Sequence, residues 1–110
     1  MENQLKVFIS QPMNGRSDRE ILDERAAALR RIEEYFKCPV IEIKSFFDDS
    51  EDYSPIYMLG KSIMLMADAN LIYFCKGWEA ARGCQIEHQV ALKYKKRIMY
   101  QNPESIFKKK

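Results

Sequence analysis

One stretch of this 110-residue sequence, residues 69–87, constrains the fold more than any other part of the chain. It starts with the apolar run Leu71–Cys75, passes through a Gly-Trp dipeptide, and reaches Glu87 shortly after a second glycine, Gly83. A short continuous apolar run is typical of a parallel strand whose sheet is covered on both faces. The stretch therefore predicts a buried strand, a sharp loop, and a helix that opens at Gly83 and carries Glu87 in its first turn.

Strands and helices are predicted to alternate along the rest of the chain. Apolar and β-branched runs predict the further strands Leu5–Ile9, Val40–Ile43 and Arg97–Tyr100. A capping box at Ser17 and Glu20 begins the first helix, which should end near Lys37, and Ser54 followed by Pro55 begins the second. This alternation predicts an α/β fold, with a small parallel sheet of about four strands and helices on both faces.

Each helix carries an apolar stripe at helical spacing, which predicts its buried face. The predicted core positions are Leu22, Leu29, Ile32 and Phe36 in the first helix, Ile56, Leu59, Ile63 and Met66 in the second, and Ile86, Val90, Ala91 and Tyr94 in the third. Charged residues of the first helix are expected to be solvated: Glu24, Arg30, Arg31, Glu33 and Glu34. His88 is expected to be exposed or to cap the helix.

Composition excludes several classes of protein. The length predicts one domain over residues 1–110, and an apolar content of 46% favours a folded core over disorder. A net charge of +2 gives no electrostatic case for nucleic acid or a membrane as the main partner. Cys38, Cys75 and Cys84 lack disulfide or zinc spacing, and no signal segment or membrane span is evident, so a reducing cytoplasm is expected. The acidic run 48–52 is interpreted as a solvated loop, with magnesium binding a weaker alternative.

Two loops should meet at one edge of the sheet, because each follows the carboxyl end of a strand. They are the first loop, Ser10–Arg16, and the Gly-Trp loop, Lys76–Gly83. Each feeds a helix N-terminus, where backbone amides and the helix dipole favour an anion. Arg16 and Arg82 would add charge-assisted contacts to a phosphate or carboxylate, although either could be an ordinary surface residue.

Three side chains near these loops have two interpretations each. Glu87 is either a catalytic carboxylate or an acid that complements the helix dipole. Trp78 either stacks on a planar ring such as a nucleobase or plugs the end of the core. Asp68 either pairs with Glu87, with one carboxyl ionised and the other transferring protons, or makes a turn between helix and strand.

These loops resemble those of a known family. The Gly-Trp…Ser-Arg-Gly-Ala…Glu…Ala motif of small proteins related to nucleoside 2-deoxyribosyltransferases is similar to Gly77-Trp-Glu-Ala-Ala-Arg-Gly-Cys-Gln-Ile-Glu87, followed by Ala91. Their Tyr-Ile-Ser-Gly-Pro-Met-Thr-Gly segment is similar to Val7-Phe-Ile-Ser-Gln-Pro-Met-Asn-Gly15. The resemblance covers most of the chain and implies a flavodoxin-like, Rossmann-like three-layer sandwich.

The resemblance also implies chemistry at the N-glycosidic bond of a nucleoside or nucleotide. Glu87 matches the glutamate that attacks the anomeric carbon, and water or a second base then releases the sugar. No cofactor is implied, and a second subunit of a homodimer or larger homo-oligomer would complete the site. The chain departs from the family at Ala81, where Ser or Asp is usual, at Asn70, where Asp is usual, and at Gln11, where Gly is common.

The leading prediction is therefore an enzyme, an N-glycosidase or deoxyribosyltransferase, with Glu87 as nucleophile and Asp68 as its candidate partner. The residues predicted to bind the substrate all belong to the two loops: Ser10, Gln11, Pro12, Met13, Gly15, Arg16, Gly77, Trp78, Arg82 and Gly83. No metal is predicted. One alternative is a non-catalytic nucleotide-binding or sensing module, favoured by Ala81 and Asn70. The other is a plain scaffold, in which Glu87 would point to bulk solvent.

Overall fold

Four parallel strands form a single sheet over the described part of the chain. The computed structural model describes residues 4–44 and 54–102. Within them the elements are β1 (Leu5–Ser10), α1 (Asp18–Phe36), β2 (Val40–Ile43), α2 (Pro55–Met66), β3 (Leu71–Phe74), a short 3₁₀ turn (Trp78–Ala80), α3 (Arg82–Lys93) and β4 (Ile98–Tyr100). The strand order is β2-β1-β3-β4, which is the order of flavodoxin-like sheets. The predicted α/β fold is confirmed.

The sheet is covered on both faces, so the molecule has three layers. Alternate residues of β1 and β3 point to opposite faces. Val7, Ile9 and Tyr73 pack with α1 in one cluster, whereas Phe8 and Phe74 pack with α2 and α3 in the other. Ser10 is in register with Phe74 and lies two residues after Phe8, so its side chain faces the α2–α3 layer.

The helix starts follow the local sequence. Ser17 and Glu20 form the predicted capping box, and the Ser54 side chain accepts a hydrogen bond from the backbone N–H of Tyr57. The N-cap of α3, Ala81, makes no side-chain capping bond. None of the helices in the described ranges combines the length and apolar character needed to cross a membrane.

The buried faces of the helices match the predicted stripes only in part, since Ile32, Met66 and Ala91 are buried as predicted. In α1 the buried residues are Arg25, Ala28 and Ile32, whereas Leu22 is 64% exposed. In α2, Ile56 is exposed, and Ser62 and Met66 are buried. The composition of α2 is apolar almost all round, so the pattern did not select one face.

The third helix is turned by about one residue relative to the prediction. Its buried residues are Cys84, Glu87, His88 and Ala91. Ile86 and Tyr94, which were predicted to be core residues, are exposed. Two polar side chains, Glu87 and His88, therefore occupy the inner face of α3, where an apolar pattern cannot reveal them. The expectation that His88 is exposed was wrong, because it is 5% exposed.

Candidate active site

The centre of the candidate site is a buried contact between β1 and α3. The Ser10 hydroxyl donates a hydrogen bond of 2.6 Å to Oε1 of Glu87. Ser10 is 1% exposed and Glu87 is 8% exposed. Because β1 and β3 are neighbours whose crossovers run to opposite faces, Ser10 lies at the topological switch point, where ligands bind in open α/β sheets.

Glu87 lines a cleft of about 1050 Å³ at this edge of the sheet. Three segments of the chain form its walls. The lining residues are Gln11, Pro12, Met13 and Asn14 from the first loop, Pro55, Ile56, Met58, Leu59 and Ser62 from α2, and Gly77, Ala80, Ala81, Arg82, Gly83, Cys84, Ile86 and Glu87 from the Gly-Trp loop and α3. A cleft of this size is large enough for a drug-sized or nucleoside-sized molecule.

Burial changes the acid–base behaviour of this corner. Desolvation raises the pKa of Glu87, and the hydrogen bond from Ser10 lowers it by a smaller amount. Among the described residues that line the cleft, Glu87 is the one acid and Arg82 is the one cation. A carboxyl group with a raised pKa in a cleft is a candidate for chemistry, since functional sites concentrate such groups.

The N-terminus of α3 forms the wall beside Glu87. Its cap residue, Ala81, supplies no side-chain acceptor to the first-turn amides, so the positive end of the helix dipole faces the cleft. A Cβ placed on Gly83 would have no neighbour within 4 Å, so the cleft is open at this position. Cys84 is buried next to Ser10, and burial raises the pKa of its thiol to about 11, which keeps it protonated at neutral pH.

Most of the predicted loop residues come together in this cleft. Gln11, Pro12 and Met13 line it from the first loop, and Gly77, Arg82 and Gly83 line it from the other side. Gly77 has a φ of +89°, which glycine adopts without strain. The two loops touch, because a Cβ on Gly77 would lie 3.7 Å from the Pro12 ring.

Asp68 is not part of the site. It is exposed and precedes β3, so it lies at the amino edge of the sheet, whereas Glu87 lies past the carboxyl edge. The four residues of β3 separate the two edges by roughly 13 Å at about 3.3 Å per residue. The predicted carboxylate pair is therefore wrong. The backbone N–H of Asp68 bonds to the Leu65 carbonyl, which fits the alternative of a turn between helix and strand.

Arg16 and Gly15 lie outside the cleft lining. The Arg16 guanidinium is bound at 2.7 Å to Glu24 and at 3.0 Å to the Pro12 carbonyl, so it holds the first loop instead of facing a ligand. Gly15 is exposed at φ +75° in the turn that follows. Glu24 was expected to be solvated, but its side chain is 17% exposed because Arg16 and Gln11 both bind it.

Trp78 is a core residue at the end of the sheet. It is 2% exposed and does not line the cleft. Its ring lies 4.1 Å from His88 and 5.3 Å from Phe74, measured between centroids. His88 Nε2 in turn lies 2.7 Å from the hydroxyl of Tyr100. The structure therefore places Trp78 in the plug role and not in the stacking role.

Two parts of the site were missed from the sequence. The first is the wall made by α2, whose Ile56, Met58 and Leu59 line the cleft. Apolar residues on more than one face of this helix could have indicated that it forms such a wall. The second is Cys84. Its position three residues before Glu87 puts both side chains on one face of α3, so the spacing could have identified it.

The described residues contain no group of three His, Cys, Asp or Glu side chains that could hold a metal ion. The acidic run 48–52, the segment considered for magnesium, lies outside the described ranges.

A comparison with protein families gives one relevant result. A family model described as a domain of unknown function (DUF4406) matches residues 5–100, which include all the strands and helices of the described residues and the whole described cleft. No curated protein matches the chain.

Proposed function

Because the chain belongs to the DUF4406 family, whose description assigns no activity, we propose its function from the cleft itself: cleavage of the N-glycosidic bond of a nucleoside or nucleotide, with Glu87 as nucleophile. The observation that carries the proposal is the buried Glu87 carboxyl group, which lines a nucleoside-sized cleft and is held from behind the lining by the Ser10 hydroxyl. The resemblance to nucleoside 2-deoxyribosyltransferases independently assigns the nucleophile to the same glutamate.

The proposed reaction proceeds in two displacements. Ser10 holds Oε1 of Glu87, and the other carboxylate oxygen, Oε2, attacks C1′ of the sugar. The C1′–N bond breaks, and the base leaves with the electron pair and takes a proton from solvent. Water, or a second base in a transfer reaction, then attacks C1′ and loses a proton to solvent, and the C1′–Oε2 bond breaks to release the Glu87 carboxylate. Two inversions give net retention, as in retaining glycosidases.

The raised pKa of Glu87 sets the pH dependence of this reaction. Attack requires the ionised carboxylate, and the hydrogen bond from Ser10 favours that form. Activity should therefore rise as the pH increases through the pKa of Glu87. The same desolvation that raises this pKa strips water from the nucleophile and leaves it poorly solvated in the ground state.

The walls of the cleft favour different parts of such a substrate. We assign the apolar wall from α2, with Met58 and Leu59, to the flat face of the base. Arg82 and the uncapped N-terminus of α3 favour a negative group, such as a 5′-phosphate. Gly83 leaves room for that group to approach the helix closely. Neither Trp78 nor Arg16 has a role in this assignment.

The test is release of free base from a panel of ribo- and deoxyribonucleosides and their 5′-monophosphates, followed by chromatography. Wild-type protein should release base from at least one compound, and Glu87→Gln should reduce that rate by about a thousandfold or more, because the nucleophile is lost. The matched control is Glu33→Gln, an exposed glutamate of α1, which should keep the wild-type rate. Release that persists in Glu87→Gln would overturn the proposed role.

One observation favours a second function, a nucleotide-binding or sensing module without catalysis. Among the described residues that line the cleft, no second carboxyl stands beside Glu87 to protonate the departing base. Under this alternative, a nucleotide from the same panel would raise the melting temperature without any base being released. Release by the wild-type protein and its loss in Glu87→Gln would exclude it.

The outer face of α2 is apolar and exposed, with Ile56 78% and Met64 73% exposed. We propose on this basis that the protein forms a homodimer or larger homo-oligomer. A second copy placed there would also border the cleft, since Ile56 lines it.

We propose that the reaction takes place in the cytoplasm. The support is that all three cysteines are free thiols in the structure, as is usual in a reducing compartment.

A further inference from the structure

A buried polar network lies behind the first loop, on the side away from the cleft. At its centre is the Gln11 side chain, in a residue that is 7% exposed. Its Oε1 accepts a 2.9 Å hydrogen bond from Nη1 of Arg25. Its Nε2 donates to the Ile21 carbonyl and to Oε1 of Glu24, both at 2.9 Å. Both the oxygen and the nitrogen of the side-chain amide therefore form hydrogen bonds with α1. Only the remaining atoms of Gln11 are left to line the cleft.

The partners of Gln11 are themselves fixed. Arg25 is 8% exposed and donates from Nε to Oε2 of Glu42 on β2 at 2.7 Å. A buried guanidinium is costly unless it is paired and hydrogen-bonded, so this arginine has few alternative positions. Glu24 also accepts a hydrogen bond from Arg16, whose guanidinium donates another to the Pro12 carbonyl. Two adjacent residues of α1, Glu24 and Arg25, thus hold the first loop at Gln11 and at Pro12.

The loop held in this way forms one wall of the cleft that Glu87 lines. Pro12, Met13 and Asn14 belong to this wall, and Pro12 adjoins Gly77 of the Gly-Trp loop. Ser10 is held separately, because it belongs to β1 and its carbonyl accepts the N–H of Cys75. Loosening Gln11 should therefore open the wall and admit water to Glu87 without displacing the Ser10 hydroxyl.

We infer that Gln11 is a positioning residue: anchored by Glu24 and Arg25, it holds the first loop in place as a wall of the cleft and so limits the access of water to the candidate nucleophile, Glu87. The predicted role of Gln11 as a substrate contact is replaced by one in which its side chain acts on the opposite side of the loop. This inference deepens the proposed function and rests on it for the role of Glu87.

The test is the pH titration of the Glu87 carboxyl carbon, followed by NMR in protein labelled with ¹³C. Gln11→Met keeps the length of the side chain and removes its hydrogen bonds. If the wall opens, water reaches Glu87 and its titration midpoint falls toward the usual value of 4.5. Ser10→Ala should do the opposite, raising the midpoint by about 1 pH unit, because the ionised form loses a hydrogen bond. The direction in which the titration midpoint of Glu87 changes therefore distinguishes opening of the cleft wall from loss of the Ser10 hydrogen bond.

Two further variants complete the design. Gln89→Met is the matched control, since Gln89 is exposed on α3, and it should leave the midpoint unchanged. Arg16→Met removes the second tether, at Pro12, and should lower the midpoint in the same direction. It carries the test if Gln11→Met does not fold. An unchanged or raised midpoint in the folded variant would overturn the inference. No substrate is needed, so the shift can appear even if the protein releases no base from any compound.

Discussion

At the scale of single residues, the energetics of the site centre on one carboxyl group. Glu87 is 8% exposed, and its charge is supported by the hydroxyl of Ser10. One hydroxyl replaces only part of the water that the carboxylate loses on burial. Functional groups are often held in such unfavourable surroundings, so that their removal stabilises the fold while abolishing activity.

Glu87→Gln should therefore stabilise the protein at neutral pH, by about 1 kcal/mol, or roughly 4–8 °C in melting temperature for a chain of this size. Because burial raises the pKa of Glu87, the folded wild type binds its proton more tightly than the unfolded chain does. The contribution of Glu87 to the stability of the wild type is thus fully present below its usual pKa of 4.5 and is lost as the pH rises through the folded pKa. Glutamine has no charge to bury and avoids that loss.

Thermal unfolding of both proteins between pH 4 and pH 8 checks this prediction. The difference in melting temperature should be small at pH 4, grow through the titration of Glu87, and then stay constant. Glu33→Gln, at an exposed position of α1, provides the baseline for replacing a carboxyl by an amide. A Glu87→Gln protein that is less stable than wild type at pH 7 would mean that the carboxylate is a net stabilising group.

At the scale of elements, the limits of the sequence follow from what each signal reports. Apolar runs and capping residues are local, so the strands, the capping box at Ser17 and the start of α2 at Ser54 were predictable from short windows. The face that each helix buries depends on its neighbours. In α3 the inner face carries Glu87 and His88, and no hydrophobic pattern marks a polar residue as buried.

The same distinction applies to the candidate site. Glu87 and the first loop could be identified because loops that follow adjacent parallel strands must meet. Asp68 was placed wrongly because a carboxylate near β3 in sequence can lie at either edge of the sheet. The direction in which Gln11 points was also beyond the sequence, since it depends on Arg25, fourteen positions further along the chain.

Substitutions at two helical glycines, Gly60 and Gly83, can distinguish an effect on helix stability from an effect on ligand contact. A Cβ on Gly83 or on Gly60 would meet nothing within 4 Å, so alanine fits at both positions. Each substitution should leave the fold intact or stabilise it by up to about 1 kcal/mol through helix propensity. Only Gly83 lines the cleft, and its new methyl group would occupy the space for a ligand. Gly83→Ala should therefore lower kcat/KM about tenfold for the most active compound of the nucleotide panel.

Gly60→Ala is the control, and it should keep the wild-type kcat/KM. Urea unfolding of both variants verifies that neither is destabilised, so a loss of activity can be assigned to the cleft. Equal activity of Gly83→Ala and wild type would show that substrate does not approach the start of α3.

At the scale of the whole molecule, the helices are unevenly distributed over the sheet. One face is covered by α1, and the other by α2 and α3. On the outer side of α2, three large apolar or aromatic side chains are exposed: Ile56, Tyr57 and Met64. Scattered exposed apolar residues are common, but several on one helix next to a cleft are typical of an interface.

If a second copy of the chain covers this face, a charge at its centre should weaken assembly. Met64→Lys places an ammonium group where Met64 is 73% exposed, and burying that group without a partner in an interface is unfavourable. Analytical ultracentrifugation across the micromolar range should show a dimer or larger species for wild type and a dissociation constant at least about tenfold higher for the variant. Leu22→Lys is the matched control, because Leu22 is 64% exposed on α1, in the opposite layer, and it should assemble like wild type. Equal weakening by both lysines would remove α2 as the specific interface, and a monomeric wild type would in addition leave the cleft to be completed by one chain alone.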